Sequence, residues 1–463
     1  MKRALLLALP LLCAGCLLGP DYERPDTGAY VPEAFRAERV PADTALTNAA
    51  PAAALSEAEW WIGWGDPLLT NLLERGTAAN LTLAQAQARL GQSRATLDAA
   101  RAALWPSLGL SASASRSKTY DPDDSRTSAR AGADAGWEID LFGRNRRTAE
   151  AAAADLEASG LSLEDARLSL RAEIAADYVA LRLAQETLEI ARSNLAAEVE
   201  SAEVARAKGR SGFTAGADVS AAEAAIATAR AALPAREAAV SAAARALEQL
   251  LAAPPFALEG ELAAPGPIPA APAPPEAAPA DLLARRPDVR RAEAALHAAT
   301  ARVGAARAAR YPGVNLAAGA SVSSDSLSDW SDALKTLSFG PSVSLPLFQG
   351  GALAAAEARA RATAEEALFA YRDAVLGAVH EAQRDWTDLA SERARAADLE
   401  EAVRADEEAL RAAQELYRAG KGDYTSVLVR RTAWLSARLA LAQHRASLAD
   451  LSIALFKALG GAP

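Results

Sequence analysis

The sequence predicts a mixed α and β fold, written twice along one chain, with four membrane-type strands and two hairpins of very long helices. Three observations predict it: an alanine-rich, aromatic-poor composition, an internal repeat at long period, and four stretches alternating apolar with polar residues. Of 463 residues 51% are hydrophobic, yet Phe, Trp and Tyr make up only 5%. Alanine favours helix and lets helices approach closely, but it fills a bulky globular core poorly. Long helices packed side by side follow. The 49 Lys and Arg against 59 Asp and Glu give a formal charge of −10, so the chain lacks the field that holds nucleic acid phosphates. Two Cys rule out a disulfide scaffold, and three His argue against a zinc site.

The N-terminus indicates a compartment. Met1-Lys2-Arg3 is followed by an apolar run to Leu12 and then Cys13-Ala14-Gly15-Cys16. Residues 1–15 have the layout of a secretory signal, too short for the ~20 apolar residues that span a bilayer. Ala14 and Gly15 before Cys16 resemble a bacterial lipobox, although Cys13 stands where Leu is usual. Cys16 is then the lipidated first residue of the mature chain, and several acyl chains there anchor it stably. An ordinary signal peptide cut elsewhere is the alternative. Residue 17 is Leu rather than the Asp of many inner-membrane lipoproteins, which by resemblance directs the chain to the outer membrane. Losing Lys2 and Arg3 leaves the mature chain at −12. Residues 16–59, with Pro20, Pro25, Pro32, Pro41 and Pro51, read as an extended segment too poor in large apolar residues to form its own core.

The repeat is carried by three pairs in the same order, about 206–212 residues apart. Leu104-Trp105-Pro106-Ser107-Leu108 answers Arg310-Tyr311-Pro312-Gly313-Val314. Ile139-Asp140-Leu141-Phe142-Gly143 answers Leu345-Pro346-Leu347-Phe348-Gln349-Gly350. Ala207-Lys208-Gly209-Arg210 with Phe213-Thr214 answers Ala419-Gly420-Lys421-Gly422 with Tyr424-Thr425. The first copy occupies 60–253 and the second 280–459, joined by a Pro-rich connector over 254–279 that cannot be helical.

Each copy begins with a helix and continues into a strand pair, predicted at about 105–117 and 127–143, then 312–324 and 336–348. A long helix follows, over 144–208 and 352–419, and a return helix over 217–252 and 424–459. Residues 144–208 contain no Pro, and at 1.5 Å per residue they make a rod of ~97 Å. Leu156, Leu163 and Leu170 are seven apart, as are Ile174, Leu181, Leu188 and Leu195, the register of coiled-coil packing. Pro234 is expected to kink the first return helix.

In the strands, Leu108, Leu110, Ala112 and Ala114 oppose Ser107, Gly109, Ser111 and Ser113, and the other three strands alternate likewise. Segments of about ten residues, apolar on one face and polar on the other, are what a membrane β-barrel requires. Four strands cannot close one, because open edges in lipid leave backbone groups unpaired, and single-chain barrels start at about 8 strands. Two copies would give a filled lumen, and three would give about 12 strands with room for an aqueous passage.

Further blocks are Gly19-Pro20-Asp21-Tyr22 with Pro25, Trp60-Trp61 with Asp66-Pro67-Leu68, and Asn80-Leu81 with Leu83 and Ala84. Asp281-Leu282-Leu283 leads into Arg285-Arg286-Pro287-Asp288-Val289-Arg290 with Ala292-Glu293. Tyr417-Arg418-Ala419-Gly420 with Tyr424 and Lys457-Ala458-Leu459-Gly460-Gly461 complete the set. On these residues, over nearly the whole chain, the sequence resembles the TolC-like outer-membrane efflux factors. The resemblance is to the lipoprotein (NodT-type) branch that serves resistance–nodulation–division (RND) pumps. It implies a homotrimer, with a 12-strand outer-membrane barrel (four strands per protomer), a long α-helical coiled-coil barrel below it, and an equatorial domain. It also implies a passive duct rather than an enzyme, with no cofactor, coupled to an inner-membrane RND pump by a periplasmic adaptor.

The Arg285/Arg286 block reads as a structural corner, with Pro287 suited to a first helical turn and Asp288 to its positive end. Trp60, Trp61 and Trp64 read as packing. His297, His380 and His444 stand on helices without metal-ligand spacing, and no nucleophile–base set is present. Gly209 and Gly212, and Gly420 and Gly422, are expected to supply the positive φ of the two helical reversals. By resemblance these tips close the periplasmic mouth and dock the adaptor, with Phe213-Thr214 and Tyr424-Thr425 packed there. The family's acidic position past the second tip holds Ser426, Val429 and Arg430 here. Asp218 and Asp423 are the candidate gate, each with a plain solvated turn acid as the alternative. A duct for protein secretion and a periplasmic coiled-coil scaffold are the rival functional readings.

Overall fold

The computed structural model describes residues 17–32, 57–120, 123–211, 216–272 and 285–461. The signal stretch, Cys16, Gly212, Phe213 and Thr214 lie outside the described residues. In chain order α1 (Glu57–Ile62), α2 (Pro67–Ala79) and α3 (Leu81–Ala102) precede the hairpin of β1 (Ser107–Tyr120) and β2 (Asp123–Ile139). Then come α4 (Arg144–Arg210), α5 (Gly216–Leu250) and the single turn α6 (Glu259–Leu262), which falls inside the connector expected to be free of helix, in a stretch between Pro255 and Pro265 that holds no Pro. The second half repeats the order with α7 (Pro287–Ala308), β3 (Gly313–Ser324), β4 (Leu334–Ser344), α8 (Ala352–Ala394), α9 (Ala396–Arg418) and α10 (Tyr424–Ala458). Among the described residues no helix is long and apolar enough to cross a membrane.

Local chemistry sets the boundaries. Asp66 accepts from the backbone N–H groups of Leu68 (2.9 Å) and Leu69 (3.2 Å), and Pro67 occupies the first turn, where a missing N–H costs nothing. Asn80 then ends α2 and starts α3: its Oδ1 accepts from Leu83 N, and its Nδ2 donates to Leu250 O. β2 stops at Ile139, earlier than position 143, because the chain turns through Gly143 at φ +80°. A Cβ there would lie 2.5 Å from Leu17 Cδ1. β4 stops at Ser344, short of position 348. Its partner β3 starts at Gly313, and Pro312 and Pro346 lack the N–H that would extend the ladder.

The rod expected over 352–419 is two helices. At Arg395 the backbone N–H reaches Glu392 O, three residues back, which tightens one turn and interrupts the α ladder. Helix α5, in contrast, runs through Pro234 without interruption.

The chain divides into two compact units. The first comprises the described residues within 17–26, 87–162 and 290–374 and contains one antiparallel sheet in the order β1-β2-β3-β4. Its extended N-terminal segment is clasped to α4 and α7. Leu18 N donates to Phe142 O, and the buried Arg147 guanidinium donates to Leu18 O (3.2 Å), Asp21 (2.6 Å) and Glu150 (2.9 Å). Gly19, at φ +101°, passes so close to Gly304 that a Cβ would sit 2.3 Å from its Cα. Tyr22 stacks on His297 at 4.6 Å and donates to Glu293, and His297 in turn meets Glu150 at 3.2 Å.

The second unit comprises the described residues within 27–86, 163–289 and 375–461. Trp60 stacks on Phe456 (3.8 Å, 8°), with Trp61 and Trp64 edge-on to Trp60, inside a core shared with Leu69, Ile174, Tyr178 and Leu247. The three tryptophans are therefore packing residues. Beneath them Tyr178 donates to Asp66 (2.5 Å) and accepts from Arg182, whose guanidinium also reaches Gln185 and Ala264 O. Arg286 donates to Asp288, Glu381 and Ala458 O, tying the start of α7 to α8 and the end of α10. The Arg-Arg-Pro-Asp block is a corner joint.

Candidate conduit wall and hairpin tips

The register of the sheet sorts its side chains into two faces. One carries rows such as Leu110–Ala133–Ala320–Leu337 and Leu108–Ala135–Ala318–Phe339. The other carries Ser111–Gly132–Ser321–Thr336 and Gly109–Asp134–Gly319–Ser338. Leu110 and Leu337 are each 86% exposed, an apolar surface that water would not leave uncovered. On the polar face the residues are small: a Cβ on Gly132 would meet Ser321 Cβ at 3.0 Å, and one on Gly319 would meet Asp134 Oδ1 at 3.0 Å. Ser111 donates to Asp134, and Ser115 and Ser128 share a hydrogen bond of 3.0 Å. Among the described residues no strand pairs with the outer edge of β1 or of β4. One apolar face, one small polar face and two unpaired outer strands are the features that the wall of a closed membrane barrel requires.

At the other candidate site, in the second unit, α9 reverses into α10. Gly420 takes φ +74°, and Lys421 N closes the turn on Leu416 O. Among the described glycines of the expected set, only this one meets the expected need. Gly209 lies inside α4, and neither it nor Gly422 has a positive φ. Gly422 is small for another reason: a Cβ would lie 3.3 Å from Leu416 Cβ and 3.4 Å from Tyr417 N. Asp423 caps α10 by accepting from Ser426 N at 2.6 Å, and hydrogen bonds from Ser426 hold its carboxyl below the usual range. Asp218 lies in the first turn of α5 and has a partner of its own. Thr425 is exposed, whereas Tyr424 is buried.

Tyr424 belongs to a small cluster. Its ring packs on Tyr417 at 5.4 Å, the Lys208 ammonium sits 3.9 Å over the Tyr417 ring, and Lys208 also donates to Tyr417 O. Apolar neighbours are Ala202, Ala205, Ala222, Leu410 and Val427. Within this shell lies a buried ion pair. Arg431 Nη1 is 2.7 Å from Glu198, with side chains 3% and 6% exposed, and Arg431 Nη2 donates to Ser201 at 2.7 Å. Tyr424 donates to the same Glu198 (3.3 Å), and burial, together with that carboxylate, pushes the phenol up to about 12. On the surface Arg418 adds a bridge to Glu200. Sequence reasoning missed Glu198 and Arg431. The available signal was a charge on an apolar stripe: Glu198 stands between Leu195 and Ala202 in the register that continues from Ile174. Arg431 lies two helical turns past Tyr424 on the same face.

Among the described residues no group of His, Cys, Asp and Glu is placed to hold a metal ion. His444 meets Glu392 at 2.8 Å and His297 meets Glu150, both as pairwise contacts.

The geometry can be set beside known proteins. A family model described as "Outer membrane efflux protein" matches residues 72–253 and again 278–461, so one model fits both copies of the repeat. The chain is 30% identical over 471 residues to the toluene efflux pump outer membrane protein TtgC of Pseudomonas putida, covering 97% of this chain and 93% of that protein. It is 29% identical over 390 residues to nodulation protein T of Rhizobium leguminosarum bv. trifolii, covering 81% and 79%. Among solved structures, the outer-membrane channel OprN superposes with a TM-score of 0.86 at 33% identity, over 96% of this chain and 99% of that one.

Proposed function

Since this chain belongs to the outer membrane efflux protein family, we propose that it is the exit duct of a tripartite efflux system for small molecules. Its place is the outer membrane, reaching into the periplasm, and the family is one of transport rather than catalysis. The single observation that carries the finer reading is the four-strand sheet with an apolar face and two open edges. Three copies would close it into a 12-strand barrel, with the polar row of Ser, Gly and Asp134 turned to an aqueous lumen. Long helices leaving the same strands would continue the wall as a helical barrel. An inner-membrane RND pump supplies the energy, and a periplasmic adaptor docks at the hairpin tips, around residues 209–214 and 420–425. Names such as toluene efflux pump protein and pyoverdine export protein among the relatives support small-molecule cargo.

At the mouth, the Glu198–Arg431–Tyr424 cluster would hold α4 against α10 in the resting state, with Asp218 and Asp423 as the acids nearest the turns. Cys16 would carry the lipid that tethers each copy. The acidic mature chain points to a negative lumen and mild cation selectivity.

Native mass measurement of the purified protein, together with planar-bilayer recording, tests the proposal. A trimer with defined conductance is expected. A monomer, or a protein that washes off membranes in alkaline carbonate once Cys16 is replaced by Ser, would overturn it.

A further inference from the structure

The outward, apolar face of the sheet is not apolar along its whole length. On β1 the row Leu108, Leu110, Ala112, Ala114 continues at the same two-residue spacing into Arg116, Lys118 and Tyr120. On β4 the row Val343, Pro341, Phe339, Leu337 continues into Lys335. All of these end residues are exposed. The opposite, polar face has Ser at the matching β1 positions 111, 113, 115 and 117. The three cations therefore sit where sequence alternation calls for hydrophobes, at the hairpin end of both outer strands.

Their height is set by counting. Arg116 is nine residues from the start of β1 at Ser107, and Lys335 is nine residues from the end of β4 at Ser344. Nine residues at ~3.3 Å, inclined by about 40°, climb roughly 23 Å, close to the ~25 Å apolar band of an outer-membrane barrel. Both cations thus stand just beyond the hydrocarbon, at headgroup level, on the side away from the helices. Tyr120, with the Lys118 ammonium 5.3 Å above its ring, supplies the aromatic residue that marks such an interface.

β1 and β4 are also the two edges of the sheet. If copies close a barrel, the β4 edge of one protomer lies beside the β1 edge of the next, which brings Lys335 of one beside Arg116 and Lys118 of its neighbour. We infer that this seam binds the phosphorylated headgroup of an outer-leaflet lipid, one site per protomer pair, with cations from two copies of the chain. The inference rests on the trimeric barrel proposed above. Charge complementarity selects the ligand: an arginine fork and lysine point charges match phosphate oxygens, and the apolar row immediately below matches acyl chains. A free anion would gain nothing from Leu110 and Leu337 beneath it.

The test uses the full-length protein in nanodiscs of phosphatidylethanolamine with added lipid A, read by native mass spectrometry after extraction into detergent. The wild-type trimer is expected to keep up to three lipid A molecules. R116S/K335S should retain them on the order of thirtyfold less, the effect of two headgroup-level charges. R116K/K335R should retain them as the wild type does, and K335S alone serves where the double variant does not fold. Equal retention by the serine variants would overturn the inference while leaving the trimer standing, and so would stripping of the lipid by millimolar inorganic phosphate. A monomeric mass would overturn both, and the mass itself tells the two failures apart.

Discussion

Glu198 and Arg431 show what a single residue can decide in a chain made mostly of alanine. Replacing Arg431 by Met leaves the Glu198 carboxylate buried without its cation and with Tyr424 as donor, and such an unpaired charge costs about 3–5 kcal/mol. E198Q/R431M should recover most of that loss. The expected readouts are faster hydrogen exchange at the start of α10 in R431M and, under the proposed gating role, a raised single-channel conductance. The Arg286 corner has its own pH signature. Burial works against the Asp288 carboxylate, but hydrogen bonds and charge from Arg286, with the Val289 N–H, outweigh it and hold Asp288 below its ordinary 3.8. A depressed acid stabilises the fold above its unfolded pKa and loses that contribution as pH falls through the folded one. D288N should therefore be less stable than the wild type at pH 7 and show a shallower loss of stability below about pH 4 in denaturant titrations. The start of this corner could be read from sequence, because Pro287 and Asp288 obey local helix-start rules. The stripe marks Glu198 and Arg431 singly, but not their pairing: Tyr424 and its carboxylate are 226 positions apart, and only the packed helices bring them together.

At the scale of elements, the clasp between the N-terminal segment and α7 depends on two glycines in contact. A side chain at either forces the segments apart, since even a Cβ on Gly19 would lie 2.3 Å from Gly304 Cα. G304V should free residues 17–26 to protease while the sheet stays folded, observable by limited proteolysis with mass mapping. The long helices and their strand hairpins were legible because each is a periodic pattern sustained over many residues. The interruption at Arg395 and the early ends of β2 and β4 were not. They depend on a three-residue backbone contact, on the crowding of Gly143 by Leu17, and on the absence of a paired strand beyond Gly313. The motif Gly19-Pro20-Asp21-Tyr22 was recognisable as a block, yet its purpose, to seat Asp21 on a buried Arg147 and Tyr22 on His297, needed the fold.

For the whole molecule, the proposed duct makes a permeation prediction. Reversal potentials in a salt gradient should favour cations, and D134N should lower that preference by removing one lumen charge per copy without altering the oligomer. A wild-type channel with anion preference would contradict the acidic-lumen reading. The open borders of the sheet carry a consequence for how the protein reaches its membrane. A solitary polypeptide that entered the bilayer would expose two full rows of unsatisfied amides and carbonyls to hydrocarbon, at several kcal/mol for each group. Insertion by single chains followed by later meeting within the bilayer is therefore closed off energetically. In the duct as proposed, the copies therefore meet at the periplasmic surface and enter as a set, so the yield of inserted protein should rise more steeply than linearly with the amount synthesised.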